Sequence, residues 1–400
     1  MLFNNYLLFI YIVSFVIIYT IAKTLTKKPL VRNLFITIAN VLLLLNLVKE
    51  HTIIVLAVLS LVVYLLGKLL QTKSSKSILA FSLTLIIALF TIRNYPFVQG
   101  LLSKSFLSFL NAPILSVQKI GLSYILFRFV HWLIESYKRT IHKANLLTFV
   151  NYILFFPSIL AGPIDSYNNF QYWIFKTNTS YSKSLFFAGI SRIFIGAVKT
   201  IGIVPLIIHY ATDYTKFPAS MPPLLALFLS LITYSVYIFL DFSGYSDIAI
   251  GTAYLIGIKS PENFNNPYRS QNLSEFWKRW HITFSSFLQA YVFKPFTQFF
   301  NFILPSKYRL LITILCYLST FVICGLWHGA EINFVYWGLW HGIGLSINKI
   351  WLVKLKLQLG FSSTKLYQIM SVILTFLYVS MGWLFFHYSS TQLVSIFKLF

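Results

Sequence analysis

The chain has 400 residues, 58% hydrophobic and only 10% charged, with a mean hydropathy of +0.75. Soluble domains carry about 25% charged residues, so the composition excludes a soluble globular enzyme and indicates a polytopic, all-α membrane protein. Lysine and arginine total 32 against 9 acidic residues, for a net charge of +23; in so apolar a chain that excess reads as cytoplasmic loops facing anionic lipid, not as a nucleic-acid surface.

In chain order, Leu2 to Ala22 reads as a first span, with no small-residue cleavage site after it. Lys23, Lys27, Lys28 and Arg32 then place the next loop in the cytoplasm. Leu34 to Val48 is a second, shorter span, and Thr52 to Leu66 a third that ends in Lys68, Lys73 and Lys76. Ile78 to Ile92 returns outward. Arg93 to Lys119, with Pro96, Gly100 and Pro113, reads as broken helix at the outer interface. Ile120 to Ile134 goes inward and ends at Glu135, Lys138, Arg139 and Lys143. Leu146 to Leu160 is closed by Ala161-Gly162-Pro163 and reads as re-entrant, because it is too short to span comfortably. Leu185 to Ile208 is a span carrying Arg192 and Lys199. Met221 to Leu240 and Ile248 to Ile258 read as two runs split by Asp241-Phe242-Ser243-Gly244. Leu310 to Trp327, Ile332 to Ile350 and Lys365 to His387 complete about eleven membrane segments, some re-entrant or interfacial. Residues 1–400 are expected to form one membrane domain: N-terminal spans (1–145), a core (146–350) and a C-terminal span (351–400).

The stretch from Pro261 to Gly344 carries most of the chemistry. Asn272 followed by Glu275 reads as a capping box, so a helix is expected from Leu273. On a continuous helical wheel Trp277, Trp280, Phe284, Phe287, Leu288 and Tyr291 share one arc, with Lys278, Arg279, Ser285, Ser286 and Gln289 opposite. That pattern suits a helix at the membrane interface, with His281 at the edge of its apolar arc. His328 ends the uncharged run Leu310 to Trp327, where an ionisable residue is by default a functional-site hypothesis. Cys316 and Cys324 lie inside that run without zinc spacing and read as small apolar residues.

Five pieces together resemble the membrane-bound O-acyltransferase family, in its bacterial branch. They are FPSILAGPID (Phe156 to Asp165), DFSGYSDIAIG (Asp241 to Gly251), PENFNNPYRS (Pro261 to Ser270), EFWKRWHITFSSFL (Glu275 to Leu288) and GLWHG (Gly325 to Gly329). The resemblance implies helices around a central funnel. It also implies transfer of an acyl group, D-alanyl or acetyl, from a cytoplasmic thioester to a hydroxyl of a cell-envelope polymer, in the bacterial cytoplasmic membrane. It makes His328 the principal catalytic histidine and His281 the second. A neutral imidazole can take the proton of an attacking hydroxyl; the bland alternative for each is a packed or interfacial histidine. His341, in a second W-H-G, is expected to be structural.

Asn263, Asn266 and Arg269, with Lys278, Arg279 and Trp280, are candidates for binding the donor's phosphate or phosphopantetheine. The alternative is an ordinary basic cytoplasmic loop. Asp241 heads the polar cluster Asp241, Ser243, Tyr245 and Asp247, for which Lys199 or Arg192 are expected partners, and Asp165 is a candidate for gating or orientation. No permanently bound cofactor and no metal are implied. The donor is a thioester substrate, on a carrier-protein phosphopantetheine or on coenzyme A. Membrane lipid is an expected partner, and so is either an acyl carrier protein or an outer-face acyl-handling protein. Where the family has two charged residues after the first histidine, this chain has Gln289 and Ala290. That departure keeps a catalytically weakened scaffold in view, beside a transporter or channel without chemistry.

Overall fold

A computed structural model of the chain describes residues 29–47, 50–102, 121–141, 143–176, 183–355 and 364–398. Among the described residues the regular structure is helical, with no strand. Seven helices among the described residues are long and apolar enough to cross a membrane: Pro29–Asn46, Thr52–Lys73, Lys76–Asn94, Lys183–Thr212, Pro223–Leu255, Ser306–His328 and Lys365–His387. Their outward faces carry exposed Leu30, Ile54, Phe81, Phe194, Leu206 and Leu374, as helices surrounded by lipid do. The expected first span, Leu2 to Ala22, lies outside the described residues, as does most of the expected interfacial piece after Gly100.

The two runs expected on either side of Asp241 to Gly244 are one helix, Pro223–Leu255. A polar interruption need not end a membrane helix when its polar groups find partners, as Ser243 and the nearby Asp247 do. Arg192 pairs with Asp247 at 3.0 Å, and Lys199 Nζ donates to Ser243 Oγ at 3.2 Å. Gly244 and Gly196 add a close helix approach: a Cβ on Gly196 would sit 2.5 Å from the Gly244 carbonyl oxygen. The segment after Leu146 does stay short. Its helix, Leu146–Ile153, is capped by the Asn145 side chain accepting from the Thr148 N–H, and a tight turn follows at Phe156–Ser158.

The chain divides into two compact units, Met1–Val198 with Gly244–Pro261, and Lys199–Ser243 with Glu262–Phe400. In the first, Arg128 is 1% exposed and threads into the turn after Ile153. Its guanidinium donates to the carbonyls of Tyr152, Ile153 and Ser158 and to Ser158 Oγ, at 2.7 to 3.1 Å. An arginine with that many acceptors can remain charged at depth. Beside it a buried amide network joins the helix Pro29–Leu47 to Leu146–Ile153. Asn33 donates to Thr148, Asn40 and Thr37 donate to Asn151 Oδ1, and Asn151 donates to the Asn33 carbonyl at 2.8 Å.

In the second unit the helices Arg309–His328 and Ile332–Ile350 pack against each other through glycine. A Cβ on Gly325 would lie 2.1 Å from the Phe334 carbonyl oxygen, and one on Gly338 would lie 2.1 Å from that of Phe321. No other residue permits that approach. It fixes His328, three residues beyond Gly325, against the start of the next helix.

Candidate active site

The segment read as one amphipathic helix is broken at its histidine. Leu273–Arg279 and Ile282–Leu288 are separate helices, and His281 between them has φ 43° and ψ 54°. Few non-glycine residues adopt this left-handed conformation, and surrounding contacts must hold them there. Asn263 is what holds it. The Asn263 carbonyl accepts from Ile282 N–H at 2.9 Å, and its Oδ1 lies 2.9 Å from both His281 Nδ1 and Thr283 Oγ1. Asn263 is wholly buried and His281 is 4% exposed. Because Oδ1 only accepts, His281 carries its hydrogen on Nδ1, and Nε2 presents a lone pair. Burial, and then the neighbouring His328, hold His281 well below the ordinary histidine pKa, so it is neutral.

The helix start matches expectation, with one change. Asn272 Oδ1 accepts from Glu275 N–H at 2.9 Å, but the Glu275 carboxylate accepts from Gln271 N–H, not from the cap residue's own. Glu275 also pairs with Arg279 at 2.7 Å.

His328 is the last residue of its helix and stands in a box of rings. Trp327 and Trp337 lie 4.4 and 4.9 Å from it between centroids, Phe386 4.9 Å, and Phe334 and Phe284 somewhat farther. Phe284 also touches His281 at 5.0 Å, so the two histidines flank one ring. Among the described residues His328 has no hydrogen-bond partner, and it is half-buried. This is an imidazole kept from bulk water with its nitrogens uncommitted, the state a general base requires. The chain leaves the helix at Gly329, and Glu331 is the cap of the next one.

The other candidates separate. Trp280 is buried among Phe276, Phe264 and Trp383. Arg279 is tied to Glu275, whereas Asn266, Arg269 and Lys278 are exposed. Asp241 is half-buried, in the part of the helix Pro223–Leu255 that belongs to the second unit. Asp165 belongs to the first unit and accepts from Asn169 Nδ2 and Ser166 N–H. Gln289 begins a wide π turn, Gln289–Phe293, beside a cavity of about 260 Å³ that Lys278, Ser285 and Trp277 also line. Sequence reasoning gave no role to Phe284, Trp337 or Phe386, since aromatic residues in an apolar run carry no signal of what they surround. It also did not foresee that Asn263 supports His281, since nothing in the spacing brings the two together.

Residues 33–391 match the model of the membrane-bound O-acyltransferase family. The chain belongs to that family. It is 31% identical over 278 residues to the teichoic acid D-alanyltransferase of Bacillus subtilis, covering 67% of this chain and 68% of that protein. It is 30% identical over 244 residues to the peptidoglycan O-acetyltransferase of Helicobacter pylori, covering 61% and 44%. A probable alginate O-acetylase of Pseudomonas fluorescens is 30% identical over 269 residues, covering 67% and 50%. The chain thus spans about half the length of these two acetylating relatives. As an O-acyltransferase family member with seven apolar helices, it is a multi-pass membrane protein.

Proposed function

We propose that this protein transfers an acyl group, D-alanyl or acetyl, from a cytoplasmic thioester to a hydroxyl of a cell-envelope polymer or its intermediate, in the bacterial cytoplasmic membrane. The observation that carries this reading is His328: uncommitted, half-buried, boxed by aromatic rings at the end of a span, with His281 held neutral beside it.

In this reading a His328 nitrogen takes the acceptor's hydroxyl proton as the oxygen attacks the thioester carbonyl. A carbon–oxygen bond forms, the carbon–sulfur bond breaks, and the imidazolium returns its proton to the departing thiolate. The aromatic walls keep water from competing for the thioester. His281, protonated on Nδ1 toward Asn263, has no N–H to offer the acyl carbonyl; its Nε2 lone pair suits it to orient the hydroxyl donor. Exposed Arg269 and Lys278 suit a phosphate-bearing donor or an acidic carrier protein. The D-alanyl and acetyl alternatives follow what the relatives are named for.

One observation favours a second reading. Gln289 and Ala290 sit in the π turn bordering the cavity beside Trp277 and Lys278, a place of wide backbone that often marks a functional site. A scaffold that binds partners without turnover would follow if that turn had lost a charged contact. Ester content of the envelope decides between them, measured by mass spectrometry in deletion cells complemented with the wild type or with His328→Ala. Acyltransfer requires that only the wild type restores a base-labile ester, and the released acid then identifies the acyl group. Full restoration by His328→Ala, or none by either, overturns it.

A further inference from the structure

His341 is the largest polar loose end in the second unit. It is 0% exposed, and among the described residues neither ring nitrogen has a hydrogen-bond partner. It is not alone. Trp277 and Trp337 are 8% and 2% exposed, Thr320 is 4% exposed, and their Nε1 and Oγ1 atoms are buried and unpartnered as well. The three rings form a triangle: Trp277 to His341 is 5.1 Å, Trp337 to His341 is 5.0 Å, and Trp277 to Trp337 is 6.0 Å. Thr320 and Trp277 share one cavity wall, and Phe321, next to Thr320, lies 6.1 Å from His341. On the Nε2 side stands Gly382, whose missing Cβ would lie 3.1 Å from that nitrogen.

A buried polar atom left unpaired is costly, so a cluster of this kind persists only if something satisfies it. The chemistry of the donors says what. The two indole N–H groups only donate and a neutral imidazole donates once, so the complement must accept three hydrogen bonds and return one to the unprotonated ring nitrogen. Water meets that need, each molecule bringing two lone pairs and two hydrogens and taking two to four polar partners. The site lies directly behind the histidine of the chemistry, because Trp337 stands edge-on to both, 5.0 Å from His341 and 4.9 Å from His328.

We propose that His341, Trp277, Trp337 and Thr320 form an internal water site, and that through Trp337 His341 is a positioning residue for His328. The water pins the Trp337 indole by its N–H. The pinned ring then fixes the rotamer of His328, which has no hydrogen bond of its own to do so. The second half of this proposal rests on the acyltransferase reading; the water site does not.

The test compares His341→Leu, which keeps bulk and loses both nitrogens, with His341→Gln, which keeps a donor and an acceptor. Purified full-length protein in detergent is exposed to millisecond X-ray pulses, which generate hydroxyl radicals from bound water, and oxidation of Trp277 and Trp337 is read by mass spectrometry. Wild type and His341→Gln are expected to show oxidation at both indoles, and His341→Leu a several-fold loss. Envelope ester content at equal protein level should fall by roughly 10- to 100-fold in His341→Leu, as expected for a misplaced base, and be largely rescued in His341→Gln. Unoxidised indoles in the wild type overturn the water site. Equal losses in Leu and Gln, or none in Leu, overturn the positioning role. If His328→Ala retains the ester, the acyltransferase reading has failed, and the radiolysis result still decides the water site.

Discussion

Around Asn151 in the first unit every amide side chain of the network is committed, while in the second unit the nitrogens of His328, His341, Trp277 and Trp337 have no hydrogen-bond partner among the described residues. Both regions are deeply buried, so depth alone does not account for the contrast. Asn33, Asn40 and Asn151 answer one another across two helices, and Arg128 donates four times into a single turn. Polar groups committed in this way fix geometry, with only Arg128 Nε left without a partner among the described residues, and offer little to a substrate. His328, Trp337 and His341 stand among packed rings with no protein hydrogen-bond partner among the described residues, which leaves their nitrogens open to water or substrate. The comparison teaches that, within one membrane protein, side chains committed to one another mark architecture, and a cluster of buried histidine and indole nitrogens without protein partners marks a place where something binds or reacts.

The comparison predicts that the two regions fail differently when mutated. The largest effect belongs to His328→Ala, expected to lower ester formation by on the order of 10²- to 10⁴-fold while leaving the unfolding midpoint in detergent unchanged. A parallel loss of stability would break the contrast. Arg128→Met comes next. It strips four charge-assisted bonds and orphans three carbonyls, for an expected loss of about 3–5 kcal/mol, read by unfolding in SDS–detergent mixtures. The folded fraction should retain its activity per molecule. Asn151→Leu is smaller, about 2 kcal/mol, because Asn33 and Asn40 keep other partners. An activity loss beyond the lost folded fraction would show that this network also serves the chemistry.

How far the sequence reveals this follows from the same contrast. Helix extents were legible where apolar runs are long: Ile332–Ile350 and Lys365–His387 fall where hydropathy put them. His328 and His281 were legible because their motifs are dense in tryptophan and glycine. The continuity of Pro223–Leu255 was not, because Asp241 to Gly244 looks like a break until Arg192 and Lys199 are seen to satisfy Asp247 and Ser243. Nor was the break at His281, since a helical wheel has no means of registering one left-handed residue held by an asparagine eighteen positions earlier. Both cases turn on pairings between separate segments, which periodicity does not encode.

The smallest effect is the most direct probe of how dry the histidine region is. His281 is held neutral by burial first and by His328 second, with its protonation pushed well below the ordinary value. The unfolded chain takes up that proton as pH falls below about 6.5; the folded chain does not. The unfolded state then binds more protons, so stability must rise with pH in this range. The contribution of neutral His281 is therefore full above about pH 6.5 and is lost progressively below it, by about 1.4 kcal/mol for each pH unit. His281→Asn is the appropriate control, since asparagine tolerates the left-handed backbone that this position requires but does not titrate. Unfolding midpoints between pH 7 and pH 5 should fall more steeply in the wild type than in His281→Asn. Equal slopes would mean that His281 charges in the folded protein, which would make its surroundings as polar as those of Asn151 and remove the difference between the two regions.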